Sequence, residues 1–422
     1  MFQLPRGTRD FTPEETEKRR YVEENMLSTF KSFGYKEIQT PTFETLELFT
    51  AKSGDLIIDE IYAFPDKGGR ELALRPELTA PVIRFYVEKM QMEPKPLKLF
   101  YFGNCFRYDR PQKGRYREFW QAGCEIVGTN TPEAYAELVT MAYTILKNVG
   151  LKNIKLNIGN LNIINSTFNQ LGLSKDDQKK LLPLIDKSQF DDAFSLLPDL
   201  GITSDSAKKF IDMLQTSDIN KIKEFFKEDT SAIDELSDME KILDLLKGSF
   251  NVKDFQIKMS IVRGLDYYKG LVFEIDAPVL GAEKQLCGGG AYDLVTLFGG
   301  RETPTAGFAV GFDRTILALE TEQFAFPSLK TDVYIIPVSK EMIGKSIEIA
   351  QNLRKEGILT DLDLLRRGIG KSLKYANSKN VEKVIIIGPK ELENDSVTLR
   401  DMKAGDQEVV KIADIVSKLK NN

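Results

Sequence analysis

The chain has 422 residues, 42% hydrophobic and 29% charged, which implies a globular protein of two to four domains with room for a sizeable core. Its 58 Lys and Arg against 63 Asp and Glu leave a formal net charge of −5, so nucleic-acid binding would have to come from local patches. It contains no histidine, which excludes Ser-His-Asp and Cys-His nucleophilic chemistry and every His-ligated metal site.

The opening MFQLPRGTRD lacks a basic-then-apolar signal pattern, and no apolar run is long enough to span a bilayer, so no membrane association is expected. Cys105, Cys124 and Cys287 are scattered and give neither a disulfide framework nor a zinc spacing; a cytoplasmic setting is the simplest expectation. No G-x-x-x-x-G-K-[ST] loop and no convincing G-x-G-x-x-G after a strand is present, so ATP would not bind in a P-loop or Rossmann manner.

In chain order, residues 1–12 are a polar, Arg-containing entry. Thr12, Pro13 and Glu15 mark a helix start, with an N-cap hydroxyl, Pro in the first turn and an acid three residues on. That helix is predicted to run to about Phe33, with Tyr21, Val22, Met26, Leu27 and Phe30 on one stripe, and to end at Gly34. YKEIQTPTFE reads as a strand interrupted by Pro41, which points to an edge or an interface. A strand to Leu74, a turn at Arg75-Pro76 and a helix follow; Glu77 and Thr79 at that junction are expected at least to cap the helix.

The densest pattern is Leu97–Glu125. LKLFYFGNCF is apolar and aromatic enough for a buried strand. Pro111 and Lys113-Gly114 mark a loop, and a second strand is predicted from Arg115 onward. Alternation puts Tyr116, Trp120, Ala122, Cys124 and Ile126 on one face, fit for a core. The other face carries Arg115, Arg117, Phe119, Gln121, Gly123 and Glu125, a set that makes a poor solvent surface and a good pocket floor. Arg107, Arg110, Lys113, Arg115 and Arg117 add five bases against one acid, Asp109. Arginines with carboxylates and aromatics suit phosphoryl or nucleotidyl chemistry, where positioning and charge stabilisation do most of the catalysis.

A helix over Thr131–Val149 and the strand IKLNIGN come next. Between Asn160 and Ser260 there are 13 Lys, no Arg and 18 Asp plus Glu, an acidic helical block that looks like an insertion. Strands then flank Arg263-Gly264 and Lys269-Gly270. The three glycines of KQLCGGGAYDLVTLFGG are expected to let backbone approach a ligand closely or make a tight bend, or else to form a flexible loop. In PTAGFAVGFDRTILALE a strand leads into a helix near Asp313, with Arg314 in its first turn. A cation there is disfavoured by the helix dipole, so Arg314 should face an anion or a nearby carboxylate. After the linker ETEQFAFPSLK, alternating strands and helices predict a small α/β domain with a largely parallel sheet and a final helix from Glu408. Residues 331–422 carry 16 bases against 14 acids, with a modest basic spot at Leu365-Arg366-Arg367-Gly368.

These strings together resemble the class II aminoacyl-tRNA synthetases, and among them the histidyl-tRNA synthetase family, over essentially the whole length. The segment from about Glu14 to Glu44 is similar to motif 1, FRYDRPQKGRYREFWQ to motif 2 and TAGFAVGFDRTILAL to motif 3. RGLDYYKG and GGGAYD resemble the two histidine-specific signatures, RGLDYY being the most specific string in the chain. The resemblance implies an α+β fold: an antiparallel sheet flanked by helices (1–159 and 252–325), a helical insertion (160–251) and a C-terminal α/β anticodon-binding domain (331–422). It implies formation of histidyl-adenylate from L-histidine and ATP, with Mg²⁺ assisting, transfer to tRNA-His, and a homodimer through motif 1.

By the same resemblance Arg107 would hold the α-phosphate with Arg263 facing it, and Arg115 and Arg314 the β and γ phosphates. Phe119 would stack on adenine. Glu77, Thr79 and Gln121 would hold the substrate amino group. Glu125 and Tyr268, with Tyr267 and Tyr292 nearby, would read the imidazole, whose two nitrogens need an acceptor and a hydroxyl. The sequence departs from the family at Ala291, usually Arg, and at Leu294, often Gly, so the chain around Tyr292 should be anchored differently. The rival within the family is a non-catalytic histidine-sensing regulatory subunit of ATP phosphoribosyltransferase, which lacks the anticodon-binding domain.

Overall fold

The computed structural model describes residues 2–53, 55–110, 114–226, 229–262, 268–327 and 330–420. They form two compact units, Met1–Phe326 and Pro327–Asn422.

The first unit begins with helix α1, Pro13–Ser32, started by a capping box in which the Thr12 hydroxyl accepts from the Glu15 N–H and the Glu15 carboxylate accepts from the Thr12 N–H at 2.7 Å. Gly34, at φ +81, lets the chain turn out of the helix. Pro41 then separates two short strands that join different sheets. Strand β1, Lys36–Glu37, pairs in parallel with the large sheet, whereas β2, Phe43–Thr45, enters a three-stranded sheet with β3, Ala63–Pro65, and β4, Glu71–Leu74. Helix α2, Leu46–Ser53, lies between β2 and β3, and α3, Thr79–Phe85, follows β4.

The large sheet contains β5, Leu97–Phe106; β6, Glu118–Val127; β7, Lys155–Asn160; β8, Phe255–Ile257; β9, Tyr268–Asp276; β10, Gln285–Tyr292; and β11, Thr305–Gly311. Its order is β1-β5-β6-β11-β10-β9-β7-β8, antiparallel except at the two edges, where β1–β5 and β7–β8 are parallel. α1 and α4, Pro132–Asn148, cover its back. There Phe30 stacks on Phe100 with ring centroids 5.1 Å apart, and Ala122, Cys124 and Ile126 are buried in the same cluster.

Two expectations for the large sheet need correction. The second strand starts at Glu118, not Arg115; before it, Arg117 turns back, its Nε donating to the Asp109 carbonyl at 3.2 Å and its guanidinium lying 3.9 Å from the Tyr108 ring centroid. Arg117 therefore leaves the pocket floor. The glycine run 288–290 is the middle of a strand, not a flexible loop. A side chain could not fit there: a Cβ on Gly289 would come within 2.5 Å of Phe308, and one on Gly290 would run into the Leu271 carbonyl. Glycine erases the alternation by which strands are recognised, yet it is what lets β9, β10 and β11 pack.

Among the described residues between 161 and 248 there are six α-helices: α5, Leu161–Gln170; α6, Lys175–Asp186; α7, Phe190–Leu196; α8, Ser204–Gln215; α9, Ile219–Phe225; and α10, Thr230–Gly248. Asn160, the last residue of β7, caps α5 directly, and Phe168, Phe210, Leu236 and Leu246 are buried in the same hydrophobic cluster as the back of the large sheet. Helix α11, Phe312–Thr321, completes the unit.

The second unit has a five-stranded sheet of β12, Val333–Pro337; β13, Thr360–Leu362; β14, Lys383–Ile387; β15, Ser396–Asp401; and β16, Gln407–Lys411, in the order β13-β12-β14-β15-β16. Helices α12, Ile343–Lys355, and α13, Ile369–Ser378, connect the parallel part; the short α14, Pro389–Leu392, precedes β15 and α15, Ile415–Lys420, ends the described chain. The sheet is mixed rather than largely parallel, because β14, β15 and β16 pair antiparallel. The final helix begins at Ile415, not Glu408. Residues 402–406 form a tight turn in which Asp401 accepts from the N–H groups of Lys403 and Ala404, and it returns 407–411 to the sheet.

Candidate active site

Adjacent strands β5 and β6 present the floor of the site, and their front-face residues arrive by simple alternation: Leu99, Tyr101 and Cys105 from one, Phe119, Gln121, Gly123 and Glu125 from the other. Pairing places Tyr101 opposite Gly123. A Cβ on Gly123 would lie 2.6 Å from the Tyr101 hydroxyl, and one on Gly307 of β11 would land on the Glu125 carboxylate. Glycine on two neighbouring strands thus opens the space that Glu125 and Tyr101 occupy.

Glu125 is completely buried. Tyr101 donates its hydroxyl to Oε1 at 2.9 Å, and Tyr292 donates to Oε2. The Tyr101 hydroxyl also lies 3.4 Å from Thr79 Oγ1. Burial pushes the Glu125 carboxyl up to about 8, against the opposing effect of the two tyrosine hydrogen bonds. Tyr292 is held at the end of β10, paired with Tyr268 on one side and Thr305 on the other, and its carbonyl accepts from Thr305 Oγ1 at 2.6 Å. Sheet pairing therefore anchors Tyr292 in a chain that has Ala at 291. The Tyr268 ring packs edge-on to Tyr292 with centroids 6.2 Å apart. Glu77 caps α3 from outside it, its carboxylate accepting from Thr79 N at 2.8 Å and Ala80 N at 3.0 Å.

Beside this cluster is a cavity of about 350 Å³ lined by Arg107, Arg115, Phe119, Gln121 and Arg314 together with Gly288 and Gly311. Arg107 extends from the end of β5, its Nε donating to the Pro76 carbonyl at 3.0 Å and its guanidinium 5.3 Å from the Phe119 ring centroid. Gln121 accepts from Cys105 Sγ at 3.4 Å. Arg314 sits in the first turn of α11 and faces a carboxylate: its Nη2 is 2.8 Å from Glu283 Oε2, while Arg115 Nε approaches the same oxygen at 3.2 Å. The neighbouring Asp313 accepts from Arg9 and Arg19, each at 2.6 Å, and from the Trp120 N–H at 2.8 Å, tying the N-terminal arm, α1 and β6 to the start of α11.

Ten of the twelve residues singled out by sequence are thus placed around one front face. Arg263 and Tyr267 lie outside the described residues. Sequence reasoning missed Tyr101, hidden in an aromatic run; its position two residues from Leu99 on the floor face was the available signal. It also missed Glu283 and the Asp313 hub, whose partners Arg9 and Arg19 are 304 and 294 residues away. Chemically, the arrangement offers clustered guanidiniums for an anion next to a buried carboxyl–tyrosine pocket. Burial raises the thiols of Cys105, Cys124 and Cys287, so they are poor nucleophiles.

Residues 7–315 match the family model of histidyl-tRNA synthetase, and residues 332–422 that of the anticodon-binding domain. This chain belongs to the histidyl-tRNA synthetase family. The synthetase is 43% identical over 425 residues to the histidine–tRNA ligase of Methanocaldococcus jannaschii, covering 99% of each chain. It is 43% identical to that of Methanosarcina acetivorans, covering 98% of each. Among solved structures, histidyl-tRNA synthetase of S. aureus superposes with a TM-score of 0.74 at 29% identity, over 99% of this chain and 100% of that one. The regulatory-subunit reading is set aside, because the anticodon-binding match and the end-to-end likeness to ligases place the synthetase among the aminoacyl-tRNA ligases.

Proposed function

We propose that this chain joins L-histidine to tRNA-His in two steps within the front-face site. The histidine carboxylate attacks the α-phosphorus of ATP, an O–P bond forms, the bond to the β-phosphate oxygen breaks, and pyrophosphate leaves. The terminal adenosine of the tRNA then attacks the adenylate carbonyl and AMP leaves. The observation that carries this reading is the pairing of two environments: the Glu125–tyrosine pocket and the arginine-lined cavity beside it.

In this scheme Arg107 donates to the α-phosphate, with Arg263 opposite, and both offset charge as it develops at phosphorus. Arg115 and Arg314 hold the outer phosphates, and Phe119 stacks on adenine. Glu77, Thr79 and Gln121 receive the substrate ammonium. Glu125 accepts from one imidazole nitrogen, with Tyr292, Tyr268, Tyr267 and Tyr101 completing the pocket. Mg²⁺ would enter with the ATP phosphates, which supply most of its oxygen ligands.

Amino-acid-dependent ATP–pyrophosphate exchange, tested with each of the twenty amino acids, should respond to histidine alone, and a tRNA-His transcript should then be charged. Exchange with another amino acid, or with none, would overturn the assignment.

The homodimer is assigned to the motif 1 region. On the small sheet Phe43 is 53% and Phe64 40% exposed, and pairing with Leu74 and Leu72 sets both on one apolar face. Phe43→Glu should convert a dimer to a monomer in sedimentation velocity; a monomeric unsubstituted protein would remove the proposal. No described helix is long and apolar enough to cross a membrane. The three cysteines are free and buried, which fits a reducing, cytoplasmic setting.

A further inference from the structure

Three separate segments converge on one oxygen atom. Arg115 stands before β6, Arg314 in the first turn of α11, and Glu283 at the end of the short 3₁₀ turn Pro278–Glu283 that precedes β10. Glu283 Oε2 lies 2.8 Å from Arg314 Nη2 and 3.2 Å from Arg115 Nε. The remaining guanidinium nitrogens of Arg314 are fixed by main chain, Nη1 to the Gln285 carbonyl at 3.1 Å and Nε to the Gly114 carbonyl at 3.2 Å. The guanidinium is therefore held by the backbone, and the carboxylate is the partner that can exchange. The Glu283 side chain is 27% exposed and has a route to water.

We infer that Glu283 is a resident counter-anion for Arg115 and Arg314, displaced by the outer phosphates of ATP and returning to the arginines as pyrophosphate departs. The inference rests on the proposed role of those two arginines toward ATP. One carboxylate shared between two guanidiniums cancels one of their two charges while keeping the arginines in place. A triphosphate carries more charge and more acceptor oxygens than a carboxylate, so it wins the exchange, but its apparent affinity is lowered by the contact it must break. The same competition acts on pyrophosphate, the product, and favours its release.

Glu283→Gln keeps the size and removes the charge. In the full-length enzyme the KM for ATP should fall about three- to tenfold, and the inhibition constant of pyrophosphate should fall by a similar factor. The KM for histidine and the Mg²⁺ concentration giving half-maximal activity should not move. Glu283→Asp, which keeps the charge, should stay closer to the unsubstituted enzyme in both ATP and pyrophosphate affinity. An unchanged or raised KM for ATP in Glu283→Gln would overturn the inference. A raised Mg²⁺ requirement would also overturn it, since the carboxylate would then be serving a metal. Histidine-dependent exchange by the unsubstituted enzyme tests the proposed function separately and stands whatever Glu283→Gln does.

Discussion

Glu125→Gln is expected to lower histidine-dependent pyrophosphate exchange by about 10³-fold or more while making the protein more resistant to heat above pH 8. The loss follows from specificity: a pocket built to hydrogen-bond a polar group discriminates by about 10⁴–10⁵ when the pair is broken. The gain follows from burial. Glu125 is wholly enclosed, its carboxyl is pushed up to about 8 by burial, and the hydroxyls of Tyr292, Tyr101 and Thr79 offset only part of the cost of its charge. Its ordinary value is 4.5, so between that pH and about 8 the folded protein holds a proton that the unfolded chain has lost. The contribution of this group to stability is therefore greatest at or below pH 4.5, declines as pH rises, and is lost above about 8, where a charged carboxylate sits in the core. Glutamine has no such slope. The difference in Tm between Glu125→Gln and the unsubstituted protein should widen from pH 5.5 to pH 8.5. A pH-independent difference would show that Glu125 does not titrate as argued. Added histidine, which brings a nitrogen donor to the carboxylate, should flatten the slope of the unsubstituted protein.

Arg107→Lys should cost about 10²–10³ in the rate of adenylate formation while weakening ATP binding by less than about tenfold. Lysine keeps the charge but not the planar fork, and it cannot both hold the Pro76 carbonyl through Nε and lie against Phe119 as Arg107 does. If Arg107 acts on charge that appears only as the α-phosphorus is attacked, the loss falls on the chemical step. Single-turnover quench of adenylate formation, set beside equilibrium binding of ATP, separates the two. Equal losses in both would make Arg107 a ground-state ligand and nothing more.

Local rules made much of this molecule legible. Thr12 and Glu15 announced the first helix because a capping box is made entirely within four residues. The floor of the site could be read from β6 because period-two alternation alone separates Phe119, Gln121, Gly123 and Glu125 from Trp120, Ala122, Cys124 and Ile126. Where side chains carry no signal, reading failed: three glycines in succession conceal a central strand, and a lone tyrosine in an aromatic run does not declare that its hydroxyl meets a carboxylate. A helix is expected from Glu408, but 407–411 is a strand; only Val410 of its five residues is buried and Val409 faces outward, so no apolar alternation marks it.

What the sequence alone determined is the inventory and the local geometry: no histidine, arginines at the ends of strands, the helix starts, and the motifs that place the chain in its family. What only the tertiary structure decided is which groups share a charge. Glu125 finds Tyr292 at a separation of 167 residues, Asp313 finds Arg9 and Arg19 across 304 and 294, and Glu283 pairs with Arg314 across 31 and with Arg115, which precedes β6. The physical reason is that alternation and capping act over two to four residues, whereas the burial that shifts Glu125 and the convergence that pairs Glu283 with two guanidiniums arise only when separate strands pack.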